Sequence, residues 1–463
     1  MSKLYIFGIG GTGARVLKSL TFLLASGVKC NVDTIVPIII DPDAANGDVS
    51  KTTDILRLYQ NIRSKLTFDN ETKNEFFKTQ VESLTDNFRI KIQNSNKKFK
   101  DFIDYSSLDK NNKALTSLLF SERNLNSDME VGFKGNPNMG SVVLNQFNQS
   151  EDFEKFASSF SQGDKIFIIS SIFGGTGASG FPLLLKTIRS AGPQLNNFAL
   201  LQQAQIGAIS VLPYFGVKKD EDSDIEKSTF ISKTKAALKY YQHGVNESVD
   251  AMYYIGDHHN KDYDNNEGSV AQKNDAHFIE LASALAILNF TNSPLRSEPV
   301  VKEFGIEKDS ASILFTDLND ITKDNLLKPL TQYYLFHLYT KKKLRNNLDM
   351  KFAAMLELSS AFLSSDFYGK FRLFNDQYWE WLEQMKLNER GFDPFTMEEN
   401  TEDIFDSVKG IKLKNGSFLG PKNYERYTEY LSKSSKSIKK ASNIENKFFE
   451  NFYITTNKLV QEK

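Results

Sequence analysis

The chain of 463 residues is long enough for two or three domains and at least one large core. Its 40% hydrophobic and 25% charged residues are ordinary for a globular protein, and a net charge of −1 excludes a global field drawing it to nucleic acid or an anionic membrane. The single cysteine, Cys30, excludes an intrachain disulfide, points to a reducing compartment such as the cytoplasm, and reads as core filler rather than a nucleophile.

Met-Ser-Lys and the apolar run after it are too short and too glycine-rich for a signal peptide. No run of about 18 apolar residues is present to span a membrane. Residues 4–8 (LYIFG) predict a buried parallel strand, residues 14–25 a helix stopped by Gly27, and residues 34–40 (TIVPIII) a second strand ending in Asp41-Pro42-Asp43. The glycine turn of this unit sits at the carboxyl end of the first strand, the edge where open parallel sheets bind ligands. Residues 51–130, polar and rich in Lys and Asn, predict a layer of amphipathic helices. Further strands are predicted at 166–172 (IFIISSI), 206–213 (IGAISVLP) and 252–255, so the fold class is α/β with a doubly wound parallel sheet.

From residue 274 to 290, Phe278, Leu281, Ala282, Leu285 and Leu288 recur at helical spacing and mark one long central helix. Beyond about residue 320 the pattern is mainly helical, with a hairpin expected at Asn415-Gly416. The cluster Tyr378, Trp379 and Trp381 reads as the core of a helix pair, with a partner interface as the alternative. The Lys/Ser-rich end predicts a solvated helix or tail. Its Lys433, Lys436, Lys439 and Lys440 form a solvated basic run, with an acidic partner or nucleic acid as the other reading. The division expected is 1–290 for a nucleotide-binding domain, 291–420 for a helical domain and 421–463 for a basic tail.

Two segments carry chemistry. Gly8-Ile9-Gly10-Gly11-Thr12-Gly13 and Gly174-Gly175-Thr176-Gly177-Ala178-Ser179-Gly180 each follow a buried strand and open a helix. Glycine lets the backbone approach a phosphate, and the helix start turns free N–H groups toward it. One such loop fits a dinucleotide fold as well as any other nucleotide site, whereas two on one sheet suit a triphosphate held from both sides. The Gly-x4-Gly-Lys-Ser/Thr pattern of P-loop enzymes is absent. Adjacent histidines point apart, so His258-His259 reads as a polar loop and no metal site is expected there.

The segment from Phe173 to Pro182 resembles the Gly-Gly-Gly-Thr-Gly-Thr/Ser-Gly loop of tubulin and FtsZ, including the downstream proline of FtsZ. Five more segments resemble that superfamily in order: IFGIGGTG, IIIDPDAANG (38–47), GFKGNPNMG (132–140), ISVLPYF (209–215) and DAMYYIGD (250–257). The departures are Phe173 for the first glycine, Ala178 and Ser179 in the loop's second half, and Asp257 where an Asn would read guanine. The resemblance implies GTP with Mg2+, its phosphates on Gly10, Gly11, Thr12 and Gly13 and on Gly174, Gly175, Thr176, Gly177 and Ala178. It implies Asp41 and Asp43 at the second strand's end, Gly135 and Asn136 near the γ-phosphate, and Asp257, Asn274 and Phe278 around the base.

Asn274 has a helix-capping alternative and Phe278 a core-packing one. Asp317 and Asp320, in Phe315-Thr-Asp-Leu-Asn-Asp-Ile321, resemble the acidic loop that enters a neighbouring subunit and activates water, and capping the next helix is their other reading. The chain resembles the divergent bacterial tubulin-like group more than a cell-division FtsZ. Three functions compete: a self-assembling GTPase, a GTP-dependent switch or scaffold meeting partner proteins through the helical half, and a dinucleotide oxidoreductase. The second glycine loop and GNPNMG argue against the third.

Overall fold

The computed structural model describes residues 2–43, 45–129, 132–133, 135–214, 216–217, 227–257, 262–263, 274–292, 312–388, 390–397, 404–411, 413, 423–438 and 442–460. His258-His259, Asn415-Gly416, Lys439 and Lys440 lie outside them.

Six parallel strands form one sheet: β1 (Lys3–Ile9), β2 (Thr34–Ile40), β3 (Gln80–Val81), β4 (Lys165–Ser171), β5 (Gln205–Val211) and β6 (Ala251–Ile255), in the order β3-β2-β1-β4-β5-β6. The sheet has helices on both faces, and a helical part follows it. Alternation along β1 splits the core in two, as the pleat requires. Leu4 and Ile6 enter the cluster beneath α1 (Gly10–Ala25), α2 (Gly47–Arg63) and the C-terminal helices. Tyr5, Phe7 and Ile9 enter the cluster of α3 (Pro137–Leu144), α4 (Glu151–Ser159) and α5 (Gly175–Arg189). Helix α6 (Lys227–Gly244) adds Tyr241 to the second cluster.

Strand β3 falls inside the region read as helical, because two residues give no periodicity to detect. It also explains how Pro37 fits an inner strand. The carbonyls of Ile35 and Ile39 accept from Glu82 N and Ile90 N outside the β1 side, so Pro37, of the same parity, turns its missing N–H toward the gap between those two contacts.

The central helix, α7, runs Phe278–Asn292 and packs against α1 with Leu281, Ala284, Ile287 and Leu288 buried. Residues 274–277 precede it as irregular chain. The helical half contains α8 (Asp320–Lys342), α9 (Asp366–Lys386), α10 (Asn423–Ser434) and α11 (Ile444–Leu459), with one parallel pair of two-residue strands, β7 (Ser312–Ile313) and β8 (Gly391–Phe392). Trp381 of α9 is buried against Phe22 of α1, ring centroids 5.1 Å apart, and its indole N–H donates to Ser19 Oγ at 3.1 Å. Tyr378 is buried beside it, and Trp379 lies over His337 of α8.

The expected solvated tail is instead part of the core. Phe448, Phe449 and Phe452 of α11 are fully buried around Phe336 of α8 and the Phe76-Phe77 turn. Lys433, Lys436 and Lys458 sit outside, which is what made its sequence read as polar, and Lys433 pairs with Glu429 on the surface of α10, whereas Lys447 of α11 is buried and pairs with Glu357. None of the helices formed by the described residues is long and apolar enough to cross a membrane.

Candidate functional site

The strand order reverses between β1 and β4, and the loops leaving these two strands meet at that point. A switch point at the carboxyl edge opens a crevice that neighbouring strand ends cannot close. Helix α1 starts directly on its own strand: a methyl group on Gly13 would lie 2.5 Å from the carbonyl carbon of Gly8. Gly10 takes a left-handed conformation with φ 72°. The second loop folds back in the same way, since a methyl on Gly177 would lie 2.7 Å from Ser171 O.

The loops face each other. The Cβ position of Gly10 is 3.7 Å from Thr176 Cβ and 3.9 Å from Gly177 N. The third glycine segment joins them: the Cβ position of Gly175 is 3.1 Å from Asn136 N and 3.2 Å from Gly135 N. Helices α1 and α5 begin without a side-chain cap and without an acidic residue in the first turn. Asn136 caps α3, accepting from Asn138 N and Met139 N. Two uncapped helix starts and a Cβ-free cradle suit a phosphate chain, with unsatisfied N–H groups and positive dipole ends directed to one place. Thr12 is buried in the first turn of α1, and Ala178 N donates to Gly174 O at the start of α5. Lys233 of α6 donates to Gly135 O at 3.4 Å and brings a cation to the third segment.

At the end of β2, Asp41 and Asp43 are buried in consecutive Asx turns, accepting from Asp43 N and Ala45 N. Burial raises the Asp41 carboxyl to about 7. Asn46 donates to Asp41 Oδ2 at 3.2 Å, and its amide nitrogen lies 3.6 Å from the Cβ position of Gly11. Through Asn46 the pair therefore reaches the first loop. Among the described residues no group of three or more His, Cys, Asp or Glu is placed to hold a metal ion.

Beneath Gly11 lies a buried ionic cluster. Arg15 Nη1 donates to Asp48 at 2.8 Å and Arg15 Nε to Glu280 at 2.6 Å, tying α1 to α2 and to the central helix. Burial lowers Lys18, one turn further along α1. Asn274 does not reach outward for a cap: its backbone N and side-chain Nδ2 both donate to Asp48.

Around the ends of β5 and β6, the rings of Tyr214 and His277 lie 4.6 Å apart. Burial drives His277 down to about 4, and its Nδ1 accepts from Ile279 N, so the neutral ring carries its proton on Nε2. Asp257, nearly buried, pairs with Arg390 at 2.9 Å. Phe278 is half-buried, with its ring 5.9 Å from Phe392.

The same Phe392 packs against Phe315 at 5.5 Å. Asp317 and Asp320 therefore stand at the glycine-loop end of the sheet, near the start of the central helix. Asp317 accepts from Leu314 N, and Asp320 is an exposed residue in the first turn of α8, capped by Asn319.

Sequence reading passed over Arg15, Lys18, Lys233, Glu280 and Arg390. Arg15 and Lys18 did leave a trace, as two cations one turn apart in an otherwise apolar helix. Arg390 left none, because its partner is 133 residues away in the chain.

No family model matches the chain, and no curated protein matches it in sequence. Among solved structures it is similar to CetZ2 from Haloferax volcanii, a GTPγS-bound protofilament, at 14% identity and a TM-score of 0.31 over 63% of this chain and 58% of that one. It is also similar to CetZ from Methanosaeta thermophila strain DSM 6194, at 16% identity and a TM-score of 0.25 over 63% of this chain and 51% of that one. The chain thus spans between half and three-fifths of those two proteins. Likeness at such scores decides nothing about activity, which rests on this chain's own residues.

Proposed function

We propose that the chain is a GTP-binding protein of the tubulin/FtsZ superfamily, cradling the phosphates between its two glycine loops and self-assembling with nucleotide at the subunit interface. The observation that carries this reading is the approach of Gly10 to Thr176 and Gly177 across the switch point. A dinucleotide fold needs one such loop. Here two loops and the Gly135-Asn136 segment close on one place, in the order the superfamily uses. Backbone N–H groups at the starts of α1 and α5 would hold the phosphates, with Lys233 beside the third segment. Mg2+ would arrive with the triphosphate and neutralise its charge, Asp41 and Asp43 being the carboxylates linked to the first loop. Asp257, Asn274 and Phe278 would border the base.

Asp317 and Asp320 are the proposed carboxylates for water activation. Their position at the glycine-loop end favours a second reading: a GTP-dependent switch or scaffold that meets partner proteins through its helical half. In an end-to-end filament the activating group comes from the opposite end of the neighbour. Sedimentation in magnesium buffer with GTP, GDP, ATP or no nucleotide separates the readings. Pelleting with GTP alone supports assembly, and GTP binding without pelleting supports the switch. Binding of NAD in place of GTP refutes the superfamily assignment.

A further inference from the structure

The helical half reaches the base side of the site through one short stretch of chain. Gln384 Oε1 accepts from Ala276 N at 2.9 Å, and Asn388 Nδ2 donates to Ala276 O at 2.7 Å. Phe392 covers Phe278, and Arg390 Nη1 donates to Asp257 Oδ1 at 2.9 Å. These contacts fasten Gln384, Asn388, Arg390 and Phe392 to the lead-in of the central helix and to the end of β6. The Asp257 side chain is 8% exposed and that of Arg390 25% exposed, so the pair is sheltered and still reaches the surface beside the strand ends.

We infer that Arg390 is a positioning residue for base recognition, fixing the Asp257 carboxylate so that the site selects guanine over adenine. The inference rests on the reading of the glycine loops as a GTP site. A carboxylate accepts from guanine N1–H and the exocyclic amine, whereas adenine presents an acceptor at N1. That discrimination requires the carboxylate to hold one orientation. A planar guanidinium on one of its oxygens restricts the rotation. Base choice is thereby tied to docking of the helical half, since Arg390 sits between the contacts of Asn388 and Phe392.

The test is equilibrium dialysis of GTP, ATP and inorganic tripolyphosphate against the full chain and against Arg390→Gln, Arg390→Lys and Asp257→Asn, each with a melting curve. Arg390→Gln is expected to lower the GTP-to-ATP affinity ratio about tenfold while tripolyphosphate binding stays unchanged. Arg390→Lys is expected to restore part of the ratio. Asp257→Asn is expected to lose the preference and to gain affinity for xanthosine triphosphate, whose 2-oxo group accepts from an amide. Should Arg390→Gln keep the wild-type ratio while GTP binds, the positioning role is overturned and the GTP reading stands. A wild-type chain that binds neither GTP nor tripolyphosphate overturns both.

Discussion

Replacing Arg15 by Met tests whether the cluster under the first glycine loop is a buried charge network. Arg15 is 5% exposed and is the cation bonded to both Asp48 and Glu280. Without it, Asp48 keeps its two bonds from Asn274. Glu280 loses its Nε partner, and its second oxygen has no hydrogen-bond partner among the described residues even now. Removing one member of a buried pair costs about 3–5 kcal/mol, and Lys18 nearby offsets part, so a loss of about 3 kcal/mol is expected at neutral pH. The sign with pH follows from Glu280, whose carboxyl burial already pushes above its ordinary 4.5. A raised folded pKa gives stability that is present at low pH and lost as pH rises through it. The deficit of the variant should therefore be smaller near pH 5 than near pH 8. Urea titration read by tryptophan fluorescence is a direct assay, because Trp381 packs on Phe22 of the same helix. The double change Arg15→Met with Glu280→Leu should recover at least half the loss. A loss under about 1 kcal/mol, or an equal loss at both pH values, would refute the buried network.

Gly13→Ala drives a methyl group to 2.5 Å from the Gly8 backbone and should abolish GTP binding while costing about 1–3 kcal/mol. Gly11→Ala meets neighbours only at 3.6 Å and should retain the fold, which paired melting curves would check. His337 is buried, with both ring nitrogens unpartnered among the described residues, and burial takes it down to about 3. The unfolded chain protonates first on acidification, so stability should fall by about 2–3 kcal/mol between roughly pH 6.5 and 4.5. His337→Phe, keeping the stack on Trp379, should remove its share of the slope in denaturation curves recorded across the range, with His277 supplying the remainder. Asp320 is exposed, so Asp320→Ala should leave stability within about 0.5 kcal/mol while lowering phosphate release from GTP about tenfold. Unchanged release removes Asp320 from the machinery.

Much of the sheet was legible in the chain. Residues 4–8, 34–40, 166–172, 206–213 and 252–255 are short apolar runs between glycines, polar turns and helical patterns, and each became a strand within two residues of its expected bounds. Buried parallel strands write themselves this way because both faces are covered. The glycine loops were legible for a related reason: a helix beginning on its own strand leaves no room for Cβ at positions only a few residues apart, such as Gly8 and Gly13 or Gly174 and Gly177. By contrast, β3 was too short to carry a period, and α11 hid its phenylalanines among lysines and asparagines, two of which, Lys447 and Asn451, are themselves buried.

Local sequence thus determined the strands, the central helix and the loop chemistry at the switch point, since each depends on neighbours within a few positions. Tertiary structure alone decided which charges meet. Arg15 pairs with a residue 265 positions away, and Arg390 with one 133 positions away. It also decided that the C-terminal helix belongs to the core and that Asp317 stands at the glycine-loop end. Pairing and burial across such separations arise from packing whole elements together, and no short-range pattern encodes them.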